Sequence, residues 1–373
     1  MVRYSMFTKM YHSIFNTLLV FTGLSCGIGS GNIDVLFNNG VPSSTGQDAD
    51  PFISTWRTTS TNEGITLPLK ADYNYSFTVN WGDSTPLSLI TSAADADKTH
   101  YYASPGDYTV KITGILEAWY FNNLGDKDKI ISVTDLGDMG WTDLSGAFYG
   151  CSNLTYFAGG NTAAVTSMSL MFADNDSLTT LDLSHFDTAA VTNMTGTFAN
   201  SIALTRLDIS NFDTAAVTSM YAMFINSKVL TSLDLSSFDT SAATTMFAMF
   251  YGASALTEII ALSNFDTAAV TDMSFMFYGA GSLTSLDLSN FNTAAVTNMS
   301  AMFYGASGLT SLNLSSFNTA AVTSMFGMFW DTTSLTSLDL SNFDTALVTT
   351  MDSMFQNTTN LTSLDATGWQ DVT

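Results

Sequence analysis

Basic residues are scarce in this chain of 373 residues. Lysine and arginine number 10 against 33 aspartates and glutamates, which gives a net charge of −23. From Trp141 onward there are 19 acidic residues but only two basic ones, Arg206 and Lys228. Nucleic acid is excluded as a partner, because phosphate binding needs a basic footprint. The surplus of negative charge favours solubility, and it favours cationic partners or divalent cations as ligands.

Cysteine and histidine are also rare. One of the two cysteines, Cys26, lies in the leader, so Cys151 has no partner for an intramolecular disulfide in the mature chain. The three histidines, His12, His100 and His185, have neither the spacing of a metal site nor that of a catalytic triad. We therefore expect no enzymatic activity and no cofactor, and we interpret Cys151 as a small buried thiol.

Long hydrophobic runs are missing after the leader, where no stretch reaches 18 unbroken apolar residues. Residues 1–26 have the layout of an export signal, with a short apolar core at Ile14–Leu24. Their last residues resemble a bacterial lipobox, which predicts acylation of Cys26. Gly23 stands where leucine is usual, so ordinary signal-peptidase cleavage and an uncleaved anchor are alternatives. The predicted location is the cell surface, as an outer-membrane lipoprotein, or the extracellular medium after secretion.

Two different segments follow the leader. Residues 27–50 are rich in Gly, Ser, Asn and Asp, which predicts a flexible tether. Residues 51–122 alternate polar and apolar side chains in short runs, which predicts a small β-sandwich. A W-G-D phrase ending at Asp83 and an H-x-Y-x-x-P-G-x-Y-x-V phrase beginning at His100 resemble the PKD-type domains of extracellular proteins. We interpret Asp83 as a turn residue, with a calcium ligand as the alternative, and His100 as a packing or turn residue.

A 26-residue pattern fills the rest of the chain. The methionine of its V-T-x-M segment recurs every 26 residues, except for one step of 27 between Met246 and Met273. Such a period predicts a solenoid, because one copy cannot bury its apolar face alone. We interpret residues 123–148 as a degenerate N-terminal capping copy and residues 149–373 as the regular copies. The last copy is incomplete, so truncation at the C-terminus is one interpretation.

Each copy carries a strand signal and a helix signal. In L-x-x-L-x-L, Leu286 and Leu288 are predicted to face inward and Asp287 outward. A series near helical spacing follows an Asn-Thr cap and comprises Val296, Met299, Met302, Phe303 and Ala306. The predicted class is an α/β leucine-rich-repeat solenoid, right-handed, with a parallel sheet on its concave side and a PKD-like β-sandwich before it. The additional residue in Leu256–Leu262 is interpreted as a bulge in that strand.

The outward strand position is acidic in most copies. We call this series the acidic column: Asp182, Asp208, Asp234, Asp287, Asp339 and Asp365. Ala261 and Asn313 interrupt it. Strands about 4.8 Å apart would align these carboxylates on the concave sheet. A site for a cation or a basic partner and a merely solvated polar face both fit.

A second acidic series precedes the V-T segment. It consists of Asp187, Asp213, Asp239, Asp266, Asn292, Asn318 and Asp344. Aspartate and asparagine both accept hydrogen bonds from nearby backbone N–H groups, so a turn and N-cap role explains the series.

The repeat resembles the 26-residue repeat of BspA-like bacterial surface proteins, a branch of the leucine-rich repeats also seen in mycoplasma lipoproteins. The resemblance covers roughly residues 130–373. It implies a cell-surface or secreted location and, for some members, adhesion to host matrix proteins or other cells. It implies no activity and transfers no functional residue.

Two functions follow as hypotheses. The first is a binding or adhesion protein whose partner is a host matrix protein, another cell-surface protein or a glycan, with divalent cations as further ligands. The second is a structural surface-layer or stalk protein without a specific ligand. Contact with a membrane is expected only through the N-terminal lipid anchor. A glycan hydrolase is a distant third, because the repeats offer evenly spaced carboxylates instead of a facing pair.

Overall fold

The computed structural model describes residues 50–370. This part of the chain is built from short strands and turns and contains no α-helix. Its helical residues are confined to three 3₁₀ turns, Ala96–Lys98, Lys127–Lys129 and Leu262–Asn264. None of these is long or apolar enough to cross a membrane. The leader, the predicted tether except for its last residue, and Cys26 lie outside the described residues.

The N-terminal part of the described chain is antiparallel β structure. Its strands are β1 (Phe52–Thr58), β2 (Glu63–Thr66), β3 (Tyr75–Asn80), β4 (Ser88–Ile90), β5 (Thr99–Tyr102) and β6 (Gly106–Leu116). Strands β4, β3, β6 and β1 pair in that order, and β2 pairs with β5 separately. Alternate residues of β1 and β3 are buried, as a half-buried strand requires. Three tryptophans, Trp56, Trp81 and Trp119, are almost completely buried in the core.

The N-terminal sheet continues into the repeats. Strand β7 (Ile130–Asp135) pairs antiparallel with β1 on one side and parallel with β8 (Tyr156–Ala158) on the other. Strand β8 then pairs in parallel with β9 (Thr180–Asp182), so one seven-stranded sheet runs β4-β3-β6-β1-β7-β8-β9. The first copies of the repeat are therefore built directly onto the edge of the N-terminal β structure.

A half-buried ion pair spans this junction. Asp143, which is 7% exposed, accepts hydrogen bonds from the Lys70 ammonium, the Tyr73 hydroxyl and the backbone N–H of Ser145. Burial by itself would raise the pKa of Asp143, but the bonds from Lys70, Ser145 and Tyr73 outweigh it and lower the pKa. Loss of one partner would leave a buried charge uncompensated, so the contact holds the N-terminal part and the repeats in one arrangement.

Successive copies of the repeat lie side by side along two lines. On the first line, the strands β10 (Ser232–Asp234) and β11 (Glu258–Ile260), and likewise β12 (Ser337–Asp339) and β13 (Ser363–Asp365), pair in parallel. The second line is a ladder of single parallel bridges made by the residue before each V-T-x-M methionine. It joins Ser167, Asn193, Ser219, Thr245, Asp272, Asn298, Ser324 and Thr350.

The predicted helix is wrong: the segment after V-T-x-M is a pair of turns. Two residues in every copy have a left-handed backbone, which ends any α-helix. The first group, with φ from 52° to 61°, is Leu170, Gly196, Ala222, Ala248, Phe275, Ala301, Gly327 and Ser353. The second group, with φ from 55° to 69°, is Asp174, Asn200, Asn226, Gly252, Gly279, Gly305, Asp331 and Asn357. The apolar residues expected on the helix face are nonetheless buried, from Val296 to Ala306.

The backbone of these turns bonds to the next copy. The N–H groups of Met299, Ala301 and Phe303 donate to the carbonyl oxygens of Ser324, Phe326 and Met328, at 2.7–3.0 Å. An α-helix would instead close each bond four residues back in the same segment. Every second peptide group is therefore satisfied only when a neighbouring copy is present.

A ladder of phenylalanine rings forms the centre of the stack. Its members are Phe148, Phe172, Phe198, Phe224, Phe250, Phe277, Phe303, Phe329 and Phe355. Adjacent ring centroids are 5.5–6.0 Å apart and the rings are within 9° of parallel. All but the last ring are almost completely buried. Each ring stacks on its counterpart in the next copy, so the same apolar contact is made at every step.

The additional residue near Leu262 is accommodated after the strand, which corrects the predicted bulge. Strand β11 pairs in register with β10, with Asp234 opposite Ile260. Ala261 then takes a left-handed backbone, φ 64°, and opens the 3₁₀ turn at Leu262–Asn264. Ile260, and not Ala261, therefore occupies the slot that aspartate fills in other copies.

Replacing Ala301 by glycine tests whether the segment is a turn. Alanine at φ 52° bears a left-handed backbone penalty of roughly 1–2 kcal/mol that glycine does not. We expect Ala301→Gly to unfold at the same or a higher urea concentration. The matched control Ala294→Gly, at an exposed residue without a positive φ, should lower the midpoint. A helix at Ala301 would instead lose about 1 kcal/mol with glycine, so a clear fall for this variant contradicts the turn.

Candidate functional site

The aspartates of the acidic column are held by the serine two residues later. Asp182, Asp208, Asp234 and Asp287 each accept a backbone N–H at 2.9–3.1 Å and a serine hydroxyl at 2.5–2.7 Å. Asp339 and Asp365 accept the N–H of the residue two positions later, at 2.9 and 3.0 Å. One carboxylate oxygen of each residue thus closes a tight turn, and the residues themselves are exposed.

These bonds keep the carboxylates ionised. The pKa of Asp287 is lowered first by the hydroxyl of Ser289 and then by its backbone N–H. The pKa values of Asp182, Asp208, Asp234 and Asp339 are lowered by the same pair of serine bonds. These five carboxylates are therefore charged at neutral pH.

The structure brings only part of the acidic column together. Asp339 lies directly opposite Asp365 in the pairing of β12 and β13. Asp234 faces Ile260, and Asp182 faces Ala158, so neither has an aspartate as its pairing partner. No strand is formed at residues 206–208, 285–288 or 311–314. Asp208 nevertheless lies close enough to Asp182 and Asp234 for the carboxylate charges of adjacent copies to interact. Within residues 50–370, no group of three or more His, Cys, Asp or Glu side chains could hold a metal ion.

Two clefts lie along this line of strands. The junction cleft, about 640 Å³, is lined by Asp50, Asp135, Asp138, Tyr156, Asp182 and His185, among others. The middle cleft, about 390 Å³, is lined by Arg206, Leu207, Asp208, Ser232, Asp234 and Ile260, among others. The middle cleft combines the one arginine of the repeats with two aspartates and an isoleucine that is 40% exposed. Sequence analysis did not single out either cleft.

The remaining sequence candidates have structural partners. Asp83 accepts the N–H and the hydroxyl of Thr85 at 3.1 and 2.6 Å, and its other oxygen lies 2.7 Å from His100 Nε2. The His100 ring stacks on Trp81 with centroids 4.9 Å apart. Cys151 is completely buried, and burial raises the pKa of its thiol well above the ordinary value. A turn role for Asp83, a packing role for His100 and a structural role for Cys151 agree with this geometry.

The second acidic series also works in turns. The carboxylate of Asp187 accepts the N–H of Ala189 at 3.1 Å, and Asn292 does the same for Ala294. The threonine after each of these residues is buried and bonds to the next copy. Thr188, for example, donates to the carbonyl of Asp213 and accepts its N–H, both at 2.8 Å. The F-[DN]-T phrase therefore forms the predicted turn and also connects copies, a role that the turn and N-cap prediction did not include.

A connected group of aromatic side chains was missed from the sequence. We call it the aromatic ridge: Tyr221, Phe247, Tyr251, Phe275, Tyr278, Tyr304, Phe326 and Trp330. All eight are half-buried, and they come from the turns after the V-T-x-M methionine in five successive copies. Their positions had been assigned to a helix, so their common location on the turns could not be read from the pattern.

Removing one serine hydroxyl tests the origin of the low aspartate pKa. We expect Ser289→Ala to raise the pKa of Asp287 towards its ordinary value, measured by carboxyl NMR on aspartate-labelled protein. A lowered pKa in the folded state adds stability above the unfolded-state pKa of about 3.9, and this stability is lost in acid. The variant and the parent should therefore differ in stability at neutral pH and converge as the pH falls through the folded pKa. Ser315→Ala, beside the non-titrating Asn313, is the control, and an unchanged Asp287 pKa would contradict the assignment.

Solved structures that are similar to the chain include two described as leucine-rich repeat proteins. The one from Bacteroides ovatus ATCC 8483 has 15% identity and a TM-score of 0.35, covering 81% of this chain and 90% of that chain. The one from Eubacterium ventriosum ATCC 27560 has 17% identity and a TM-score of 0.34, covering 83% and 86%. No curated protein matches the chain.

A family model matches three overlapping segments, residues 142–261, 230–314 and 254–369. Together they cover more than half of the chain, including every copy with a V-T-x-M methionine. The chain belongs to the family described as "Mycoplasma protein of unknown function, DUF285".

Proposed function

We propose that this protein is a bacterial cell-surface or secreted binding protein, and that its repeat array is the recognition surface. The observation that carries the proposal is the acidic column, whose exposed carboxylates are held in place by hydrogen bonds from neighbouring serines, which also lower their pKa. A fixed array of charges loses little entropy when a partner binds, because its geometry exists beforehand. The array is then a leucine-rich-repeat solenoid of the right-handed type, and the N-terminal β structure is a PKD-like spacer.

The negative charge of the acidic column indicates which kind of partner it can bind. A strongly acidic array steers basic surfaces towards it and repels acidic ones, so a basic patch on a host matrix protein or another cell-surface protein fits best. The two clefts on the same line of strands give such a partner places to insert a side chain. Tyr156 in the junction cleft and Ile260 in the middle cleft are exposed apolar contacts among the carboxylates.

The turn role of the aspartates supports the second candidate, a structural surface protein without a specific ligand. Asn313 forms the same turn as its acidic counterparts, with its side-chain oxygen 3.1 Å from the N–H of Ser315. A side chain that closes a turn needs no ligand to explain it. The two functions therefore differ in whether the charge of the acidic column is needed. The turn itself forms without the charge, as Asn313 shows.

Neutralising the acidic column separates the charge from the turn. Changing Asp208, Asp234, Asp287 and Asp339 to asparagine keeps the acceptor of each turn, so folding should be preserved, as Asn313 indicates. We expect the variant to bind poly-lysine several-fold more weakly at low salt and with a smaller salt dependence, measured by titration at two ionic strengths.

The second acidic series provides the matched control. Changing Asp187, Asp213, Asp266 and Asp344 to asparagine removes the same number of charges at a position where other copies already carry Asn292 and Asn318. Equal poly-lysine binding by the two variants would mean that only net charge matters. The acidic column would then be a solvated face, and the structural function would be preferred.

Surface attachment depends on the leader, and it has its own test. Residues 1–26 carry the lipobox-like sequence ahead of a segment rich in small polar residues. We expect the protein expressed in bacteria to incorporate a labelled fatty acid and to fractionate with membranes, and Cys26→Ser to abolish both. Cys151→Ser is the control for the other cysteine. Unchanged labelling in Cys26→Ser would replace the lipid anchor with simple secretion.

A further inference from the structure

The aromatic ridge is a rigid, continuous apolar strip. Tyr251, Tyr278 and Tyr304 stack with centroids 4.4 and 4.5 Å apart, and Trp330 continues the row at 5.0 Å from Tyr304. The Tyr278 hydroxyl hydrogen-bonds those of Tyr251 and Tyr304. Tyr221 and Phe247 form a parallel stack at 4.6 Å, which Phe275 joins to the row. Five copies about 4.8 Å apart give the ridge a length of roughly 20 Å.

The fold does not require aromatic residues on the ridge. The slot filled by Tyr251, Tyr278, Tyr304 and Trp330 holds other residue types elsewhere in the array. In the other regular copies it holds Ala173, Ala199, Ile225 and Gln356, and the same turns form there; the only further aromatic residue in this slot is Tyr149, directly after the capping copy, and it is buried. The slot of Phe247 and Phe326 likewise holds Ser169, Thr195 and Ser300. Aromatic side chains are therefore concentrated in these five copies beyond the needs of packing.

Phe275 is a second indication that packing alone does not explain the aromatic residues of the ridge. It has a left-handed backbone, φ 61°, at a slot where other copies place glycine, alanine or another small residue in most cases. A bulky side chain with this backbone is uncommon because of the steric cost. Its ring contacts Phe247, Tyr251 and Tyr278, so the ridge is continuous across this copy.

The surroundings of the ridge are acidic. Asp272 and Asp331 are half-buried beside it, and Asp352 follows Phe326 in the same slot of the next copy. No lysine, arginine or histidine occurs between Val229 and Thr373, the part of the chain that supplies all of the ridge except Tyr221. An apolar strip whose charged neighbours are carboxylates complements a segment that carries both apolar and positively charged side chains.

We propose that the aromatic ridge docks a basic, aliphatic-rich polypeptide segment of a partner protein. Aliphatic side chains of the segment cover the edges of the tyrosine, phenylalanine and tryptophan rings, and its lysines or arginines approach the bordering carboxylates. Tyrosine and tryptophan are the residues that most often dominate protein interfaces, because they bury a large area with little loss of entropy. A second molecule of this protein is disfavoured as the occupant, because every molecule carries a net charge of −23 and two of them would repel each other.

The stacking decides the chemistry of the occupant. The faces of the central rings are covered by their neighbours, so sugar rings and cations have little access to them. The ridge residues are half-buried, so what stacking leaves uncovered is mainly the edges of the rings. This surface fits side chains laid across it, and it differs from the acidic column in being mainly apolar.

This inference rests on the proposed function as a binding protein, but it uses a separate surface. The test measures fluorescence anisotropy of a labelled short peptide of lysines and leucines with the full chain. We expect the triple variant Tyr251→Ala, Tyr278→Ala and Tyr304→Ala to bind it about tenfold more weakly or worse, as for loss of interface hot spots. Alanine is tolerated in this slot at Ala173 and Ala199, and isoleucine at Ile225, so Tyr278→Ile provides a second folded variant with a smaller loss.

Controls separate the two surfaces. The triple variant should bind poly-lysine as the parent does, and the acidic-column variant should still bind the lysine–leucine peptide. A peptide with glutamate in place of lysine, or serine in place of leucine, should bind much more weakly than the lysine–leucine peptide. Equal lysine–leucine binding by the triple variant and the parent would overturn the proposal, and so would equal binding of the glutamate–leucine peptide. Self-association of the parent that the triple variant abolishes would overturn it as well, since the occupant would then be a second copy.

Discussion

Hydrogen bonds between adjacent copies are the interaction on which this structure depends. In each turn after V-T-x-M, alternate N–H groups donate to carbonyl oxygens of the following copy, as Met299, Ala301 and Phe303 do. A single copy in isolation would leave these groups to water and its apolar side chains exposed. Unpaired buried peptide groups are costly, so the copies can only be stable together. The phenylalanine ladder and the buried threonine bonds then repeat at the same spacing, because the backbone bonds set the distance.

The sequence pattern identified which residues are buried but not the backbone that buries them. Spacings of three and four residues, as in Val296, Met299, Met302 and Phe303, are typical of a helix face. Here two left-handed residues per copy turn the chain back on itself, and the same side chains reach the core from turns. Glycine marks some of these positions, such as Gly305, but Ala301 and Phe275 occupy others. Because several residue types occupy these left-handed positions, the conformation cannot be recognised from the residues of one sequence.

The exposure of the acidic column was predicted from alternation along the strand, but the turns that hold its aspartates were not. Alternation in the strand indicated that Asp234 and Asp287 face outward, and they are exposed. Their bonds to Ser236 and Ser289 could have been anticipated from the D-x-S spacing, because aspartate commonly accepts the N–H two residues later. The place of the additional residue in the 27-residue copy could not be assigned from counting, because Ile260 and Ala261 fit the slot equally well until the strand pairing is known.

In a repeated structure, a departure from the pattern carries information that it would not carry in an irregular fold. Every copy meets the same packing demands, so a residue type confined to some copies is not required by packing. Arg206 and Ile260 depart from the pattern within one cleft, and the aromatic ridge departs from it over five neighbouring copies. The stack holds such departures rigidly, because backbone bonds fix each turn against the next copy. Regular copies thus provide stability, while positions that packing does not constrain form two chemically different surfaces, an exposed charged one and a half-buried apolar one.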